Sequence, residues 1–139
     1  MELTLFEECI QDLKSQVEIL SKQESNSIMK LLLKDFPFVW ANIEWEKIHK
    51  KKVILSEEPY LIIPTLSSWL SSIAVKQPVH IVWDDASVPV IKIDSLVLAV
   101  EHIDAITSVA TRTWFFNHTL GYVLEWHWCG NKTIGLRNK

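Results

Sequence analysis

The sequence predicts an α+β fold in which N-terminal helices pack on a mainly antiparallel sheet that ends in a C-terminal three-stranded meander. Three observations carry this expectation. Leu3, Phe6, Cys9, Ile10, Leu13, Val17 and Leu20 recur at spacings of three and four, which gathers them on one stripe of an amphipathic helix. Tyr122, Leu124, Trp126 and Trp128 alternate with the polar Glu125 and His127, the period of a half-buried strand. All three glycines lie in the last quarter of the chain, where tight turns between strands need them.

Bulk properties set the frame. A chain of 139 residues, 48% hydrophobic and 22% charged, has enough apolar surface for one core, and residues 1–139 are expected to form a single domain. Cys9 and Cys129 read as two buried or half-buried thiols rather than a disulfide, and Met1 to Glu8 lack the features of a secretory signal. A reducing cytoplasm is the expected setting. The longest apolar runs fall far short of the roughly 20 residues that span a bilayer, which excludes a membrane protein.

The elements follow in order. Thr4 and Glu7 predict a capping box at the start of a helix running towards Leu20. Residues 21–27 are a loop or the first turns of a second helix carrying Ile28 and Leu31 to Leu33, closed by Pro37. Phe38 to Trp45 fits a strand or a short helix. Lys47 to Lys52 is a basic surface segment, and Tyr60 to Ile63 is a short apolar piece stopped by Pro64. Thr65 or Ser67 caps a short helix that ends before Pro78. Val79, Ile81 and Trp83 share one face of a strand, Asp84 to Pro89 form a turn, and Asp94 or Ser95 caps a helix through Val97, Leu98, Glu101 and Ile106.

The closing meander has a predicted register. A first loop over Asn117 to Gly121 sets Phe116 opposite Tyr122 and Trp114 opposite Leu124. A second loop, Gly130 to Lys132, sets Trp128 opposite Ile134 and Trp126 opposite Leu136, because a one-residue slip would move Ile134 and Leu136 to the polar face. That face is expected to carry Thr113, Glu125, His127, Thr133 and Arg137, while Trp114, Trp126 and Trp128 close the core.

Charge is unevenly distributed. The net charge is −3; residues 54–111 hold seven acids against Lys76 and Lys92, whereas residues 47–53 hold four lysines and no acid. An acidic chain of this kind argues against nucleic-acid binding by the domain. No glycine-rich phosphate loop, Gly-x-Ser-x-Gly, His-Glu-x-x-His or Cys-x-x-Cys occurs, so no catalytic residue, metal site or cofactor is expected. Glu125 and His127, with His118 nearby, form the one constellation that a metal or acid–base site would use, but a zinc site needs three or four ligands. Seven tryptophans are many for this length; Trp83, just before Asp84 and Asp85, is the one expected to be partly exposed. An aromatic beside two acids has the composition of a binding hot spot, and Glu101 and Asp104 extend the acidic group.

The helical first third, the Val-Trp strand followed by Asp84-Asp85, the Glu101-His-Ile-Asp104 helix, Thr113-Trp-Phe-Phe and Gly121-Tyr-Val-Leu-Glu-Trp-His together resemble small bacterial immunity proteins. The likeness is to those that protect against contact-dependent growth inhibition or other polymorphic toxins, including relatives of the SMI1/KNR4 group. It covers mainly residues 79–136. The resemblance implies a cytoplasmic, non-enzymatic inhibitor that binds one toxin domain, often a nuclease, and occludes its active site. The acidic middle of the chain, with Trp83, Asp84, Asp85, Glu101 and Asp104, is then the expected partner surface. Two alternatives stand beside it: a small-molecule- or metal-binding domain using Glu125 and His127, and a structural adaptor whose exposed tryptophans hold a partner or a second copy.

Overall fold

The spine of the molecule, seen in a computed structural model that describes residues 3–130 and 132–139, is a seven-stranded sheet of order β1-β6-β5-β7-β8-β9-β4. Met1 and Glu2, which open the segment read for a secretory signal, and Asn131, in the predicted second hairpin loop, lie outside the described residues. The strands are β1 (Val17–Ile19), β4 (Lys50–Ile54), β5 (Val79–Trp83), β6 (Ile91–Ile93), β7 (Arg112–Asn117), β8 (Tyr122–His127) and β9 (Lys132–Leu136), and every paired neighbour is antiparallel. A separate hairpin joins β2 (Phe38–Val39) to β3 (Asn42–Ile43). The fold class is α+β, as the sequence predicts.

Both faces of the sheet are covered. On one, α1 (Leu5–Leu13), α3 (Ile62–Trp69), α4 (Leu96–Glu101) and α5 (Ile103–Thr107) bring Cys9, Leu13, Ile62, Leu66, Leu96 and Ile106 onto Ile81, Ile91, Phe115, Tyr122, Leu124 and Ile134. On the other, α2 (Lys22–Asp35) and the β2–β3 hairpin bring Leu32, Phe36 and Ile43 onto Val82, Trp114, Phe116 and Val123. A strand covered on both sides needs apolar residues at odd and even positions alike. Val79 to Trp83 satisfies this, with Ile81, Val82 and Trp83 all buried.

The helix starts are set by local chemistry. Thr4 and Glu7 exchange side-chain and backbone hydrogen bonds at 3.1 Å, as expected, and Ser21 and Glu24 repeat the arrangement at α2. Each cap is worth about 1 kcal/mol. Residues 22–27 therefore belong to the second helix, which ends before Pro37. Ser95, rather than Asp94, caps α4 through Leu98 N.

Four expectations are corrected. The first helix stops at Leu13, where Lys14 takes a positive φ of 56°, and Val17 to Ile19 pair with Ile91 to Ile93 instead of continuing the helical stripe. Alternating β-branched residues and an open sheet edge outweigh the helical period there. Pro64 does not stop the apolar piece before it, and neither Thr65 nor Ser67 caps the helix that follows: α3 already begins at Ile62, with Pro64 in its first turn, where the missing N–H costs nothing because that donor has no intrahelical partner. The predicted helix from Ser95 through Ile106 breaks at His102, which separates α4 from α5.

The meander register is the fourth. Asn117, not Phe116, pairs with Tyr122, so Phe115 faces Leu124 and Trp114 faces Glu125. This moves Trp114 and Phe116 to the second face and buries Thr113 on the first, a register that pays only because α2 and the hairpin cover that second face. In the next hairpin Ile134 pairs with Leu124 and Lys132 with Trp126, four residues from the predicted register. A shift of four preserves faces, so Ile134 stays on the Trp126 side as expected. It also ejects Trp128 from the strand, and Trp128 is exposed rather than core.

Two glycines carry specific burdens. Gly121, at φ +75°, completes the β7–β8 turn in a conformation that other residues adopt with strain. At Gly135 the ring of Trp45 lies on bare backbone: a β-carbon there would sit 2.5 Å from Trp45 Cζ3 and 3.2 Å from Ile48 Cγ2. Gly135→Ala should therefore destabilise the protein by about 1–3 kcal/mol through overpacking. Urea unfolding monitored by tryptophan fluorescence measures this, and an unchanged midpoint would refute the stacked arrangement.

Candidate functional site: the strand-end surface

β5 ends at Trp83, β7 begins at Arg112 and β8 ends at His127, and pairing places these termini side by side at one end of the sheet. Of the residues that the sequence flagged for recognition, Asp84 and Asp85 are exposed there and Asp104 lies nearby, whereas Trp83 is buried and Glu101 lies apart. Trp83 is a correction. Its ring is only 3% exposed, its Nε1 donates to Ile106 O at 2.8 Å, and Phe6 packs edge-on against it at 5.7 Å. Strand position 83 points into the helix-covered face, so the indole belongs to the core.

The exposed aromatic beside the two acids is Trp40. It sits at the tip of the β2–β3 hairpin, 94% exposed, with φ at +57°. A bulky residue in the left-handed region is a genuine outlier, since glycine or asparagine would fit that turn with less strain. Together with Met29, Leu33 and Phe38, Trp40 forms one wall of a recess of about 230 Å³ whose rim carries Asp84 and Asp85. Met29, Leu33 and Val39 are also exposed, so the patch is apolar with an acidic margin.

The acids are held in place. Asp84 N donates to Arg112 O at 3.1 Å, and its carboxylate lies 3.6 Å from the Arg112 guanidinium. Asp85 Oδ1 accepts from Ser87 Oγ at 2.6 Å and from Ser87 N at 2.9 Å; the hydroxyl first and then the N–H hold its carboxyl below the ordinary value. It is therefore ionised at neutral pH.

Beyond Arg112 the surface continues. Trp128, 64% exposed, donates its backbone N–H to Thr111 O and borders a second, open recess of about 630 Å³ with Asp104, Thr107, Ser108 and Trp126. Asp104 thus lies on the helix-covered side of the strand ends. Glu101, exposed at the end of α4, lines neither recess.

The metal or acid–base constellation has a structural explanation. Glu125 Oε2 accepts from Trp114 Nε1 at 2.8 Å and Ile43 N at 3.2 Å, and Oε1 accepts from Trp45 Nε1 at 2.8 Å. Three donors occupy the carboxylate on the face under the hairpin. His127 Nδ1 accepts from Cys129 N, while His118 is in the β7–β8 turn at the far end of the sheet, bonded to Asp35 at 2.7 Å. The three side chains are not brought together. Among the described residues, no group of three or more His, Cys, Asp or Glu side chains is gathered as a metal site would require. None of their helices is long and apolar enough to cross a membrane.

Comparison with known families identifies the lineage. Residues 3–135 match the family model described as CdiI immunity protein EcoliA0-like. The chain belongs to the CdiI immunity protein family. No curated protein sequence matches it. A CdiI immunity protein neutralises a cognate toxin protein by binding it, and the family suggests a non-enzymatic role. The match lies on the contact-dependent-inhibition side of the sequence resemblance; likeness to the SMI1/KNR4 group is a separate expectation.

In this CdiI family member the recognition candidate that sequence reasoning missed is Trp40. It lies in the Phe38 to Trp45 segment, whose sequence fits a strand or a short helix and so does not show which way Trp40 faces. The thiols also divide: Cys9 is buried, and burial followed by the Asp12 charge pushes its thiol up to about 11, whereas Cys129 is exposed rather than half-buried. One maleimide per native chain is the expected labelling at neutral pH, at Cys129, rising to two on unfolding; mass spectrometry reads both. Glu125→Ala should cost about 3 kcal/mol by stranding three donors, and should shift the near-ultraviolet signal of Trp45 and Trp114. A variant of native stability would refute the anchoring role.

Proposed function

We propose that this CdiI immunity protein acts in the cytoplasm and neutralises a nuclease toxin by seating the strand-end surface over the toxin's active site. Trp40 is the central anchor, Asp84 and Asp85 supply the charge, and Asp104 with Trp128 extends the contact on the far side of Arg112. Glu101 contributes at the margin and Trp83 only from within, by holding the strand end in place. The observation that carries this reading is Trp40: an indole 94% exposed, held in a strained backbone conformation beside two fixed carboxylates.

The chemistry is complementary. A nuclease that holds a phosphodiester presents positive charge around its catalytic centre, and paired carboxylates speed association with such a surface and fix its orientation. Apolar surface around the acids excludes water from the contact, the setting in which a tryptophan contributes most.

Trp40→Ala should weaken toxin binding about a hundredfold without loss of fold, since the side chain touches little of the core. The Asp84→Asn, Asp85→Asn pair should slow association and flatten its dependence on salt. Calorimetry and stopped-flow binding with the toxin domain encoded beside the gene measure these, and co-expression reads protection. Native affinity in both variants would exclude this surface. Intact nucleic acid in intoxicated, unprotected cells would exclude the nuclease assignment and leave neutralisation standing.

A further inference from the structure

The pole of the sheet opposite the strand-end surface holds a cleft of about 560 Å³ that lies outside the toxin-binding surface proposed above. Ile28 and Leu31 of α2, Ile73, Pro78 and Leu120 form apolar walls. The floor is polar: His80 of β5 and Lys92 of β6 are cross-strand partners, both half-buried, and both line the cleft.

The charge of this floor is unbalanced. Among the described residues neither His80 nor Lys92 forms an ion pair with a carboxylate, and none of the lining residues is acidic. Glu18, opposite Lys92 on β1, is exposed and does not line the cleft. At the rim, His118 is bonded to Asp35, whose buried carboxylate also takes Arg137 at 2.7 Å, so that acid is engaged outside the cleft. Phe116 lies beside His80 on β7, and α2 faces the cleft with Ile28 and Leu31. Lys92 is thus half removed from water with no ion-pair partner among the described residues, and the adjacent His80 offers a second nitrogen donor towards the same space.

We propose that this cleft binds a small carboxylate with an apolar body, its head group between His80 and Lys92 and its body against Ile28, Leu31 and Ile73. The volume falls in the range of small-molecule sites, about 300–1,000 Å³, and apolar walls with a few convergent polar groups are their usual lining. Lys92 supplies a charge-assisted hydrogen bond and His80 a second donor.

The pH dependence has a definite sign. Burial, and then the Lys92 charge, hold the His80 imidazole below its ordinary value in the free protein. A bound carboxylate offsets both effects and favours the imidazolium, so binding takes up a proton. Affinity therefore rises as pH falls through neutrality towards the depressed His80 value of the free protein.

Octanoate titrated into the full chain, without toxin, tests the site independently of the immunity reading. The expected results are millimolar or tighter binding, a raised His80 titration midpoint by NMR, and perturbed Ile28 and Leu31 methyl signals. Lys92→Met should weaken binding about tenfold, and His80→Gln should remove its pH dependence while leaving the Lys92 contribution. Inorganic phosphate is the comparison probe. Phosphate binding as tight as octanoate would overturn the apolar half of the site. Octanoate that leaves His80 and the methyl signals unmoved, or that binds Lys92→Met as tightly as the native chain, would overturn the proposal.

Discussion

One carboxylate ties the β2–β3 hairpin and the segment after it to the sheet. Glu125 projects from the middle of the sheet and receives a backbone N–H from the β2–β3 hairpin, an indole N–H from the segment that follows it and another from the adjoining strand. The hairpin has only two residues in each strand, too few to be stable alone. Its position depends on that triple acceptance, on Phe38 packing edge-on to Trp114 at 5.6 Å, and on Ile43 entering the second core. Trp45 then lies across Gly135, which ties the same segment to β9. Trp40 is carried at the end of this bracket. An indole with little packing of its own is thereby given a fixed place beside Asp84 and Asp85.

The hairpin and α2 together explain the composition of the sheet. With one covered face, the aromatic residues of the closing strands would have to share it. Two covered faces distribute them: Phe115, Tyr122 and Trp126 to one side, Trp114 and Phe116 to the other. Lys132, at 5% exposure, is the exception that tests this packing. Its ammonium lies 4.5 Å over the Trp126 ring and donates to Gly130 O at 2.6 Å, which makes the burial of a lysine tolerable.

These arrangements also mark what a sequence can and cannot disclose. The fold class, the capping box at Thr4, the strand at Val79, a helix cap at Asp94 or Ser95 and the face of Ile134 were legible because each rests on local sequence pattern. The register of β7 against β8 was not, because it depends on whether anything covers the second face, and the covering hairpin is some 80 residues away in the chain. Glu125 looked like a solvated or catalytic residue for the same reason: its three donors come from two distant segments and the adjoining strand. Asp84 and Asp85 were legible as an exposed turn. Trp83 was expected at the surface and is buried, while Trp40 lay in a segment whose strand or helix character was open, because the local pattern does not show which distant elements cover each residue.

Strand order has a further consequence, for the timing of assembly. β9 lies between β8 and β4, so the lysine-rich β4 has no partner in the sheet until residues 132–136 have left the ribosome, and β1 must wait likewise for β6. Contacts of such long sequence separation form late and slowly. In the interval three consecutive lysines, Lys50 to Lys52, make the waiting strand a poor template for a second nascent chain. Charge on this outer strand thus guards the polypeptide during the stage when its proper neighbour has yet to be synthesised.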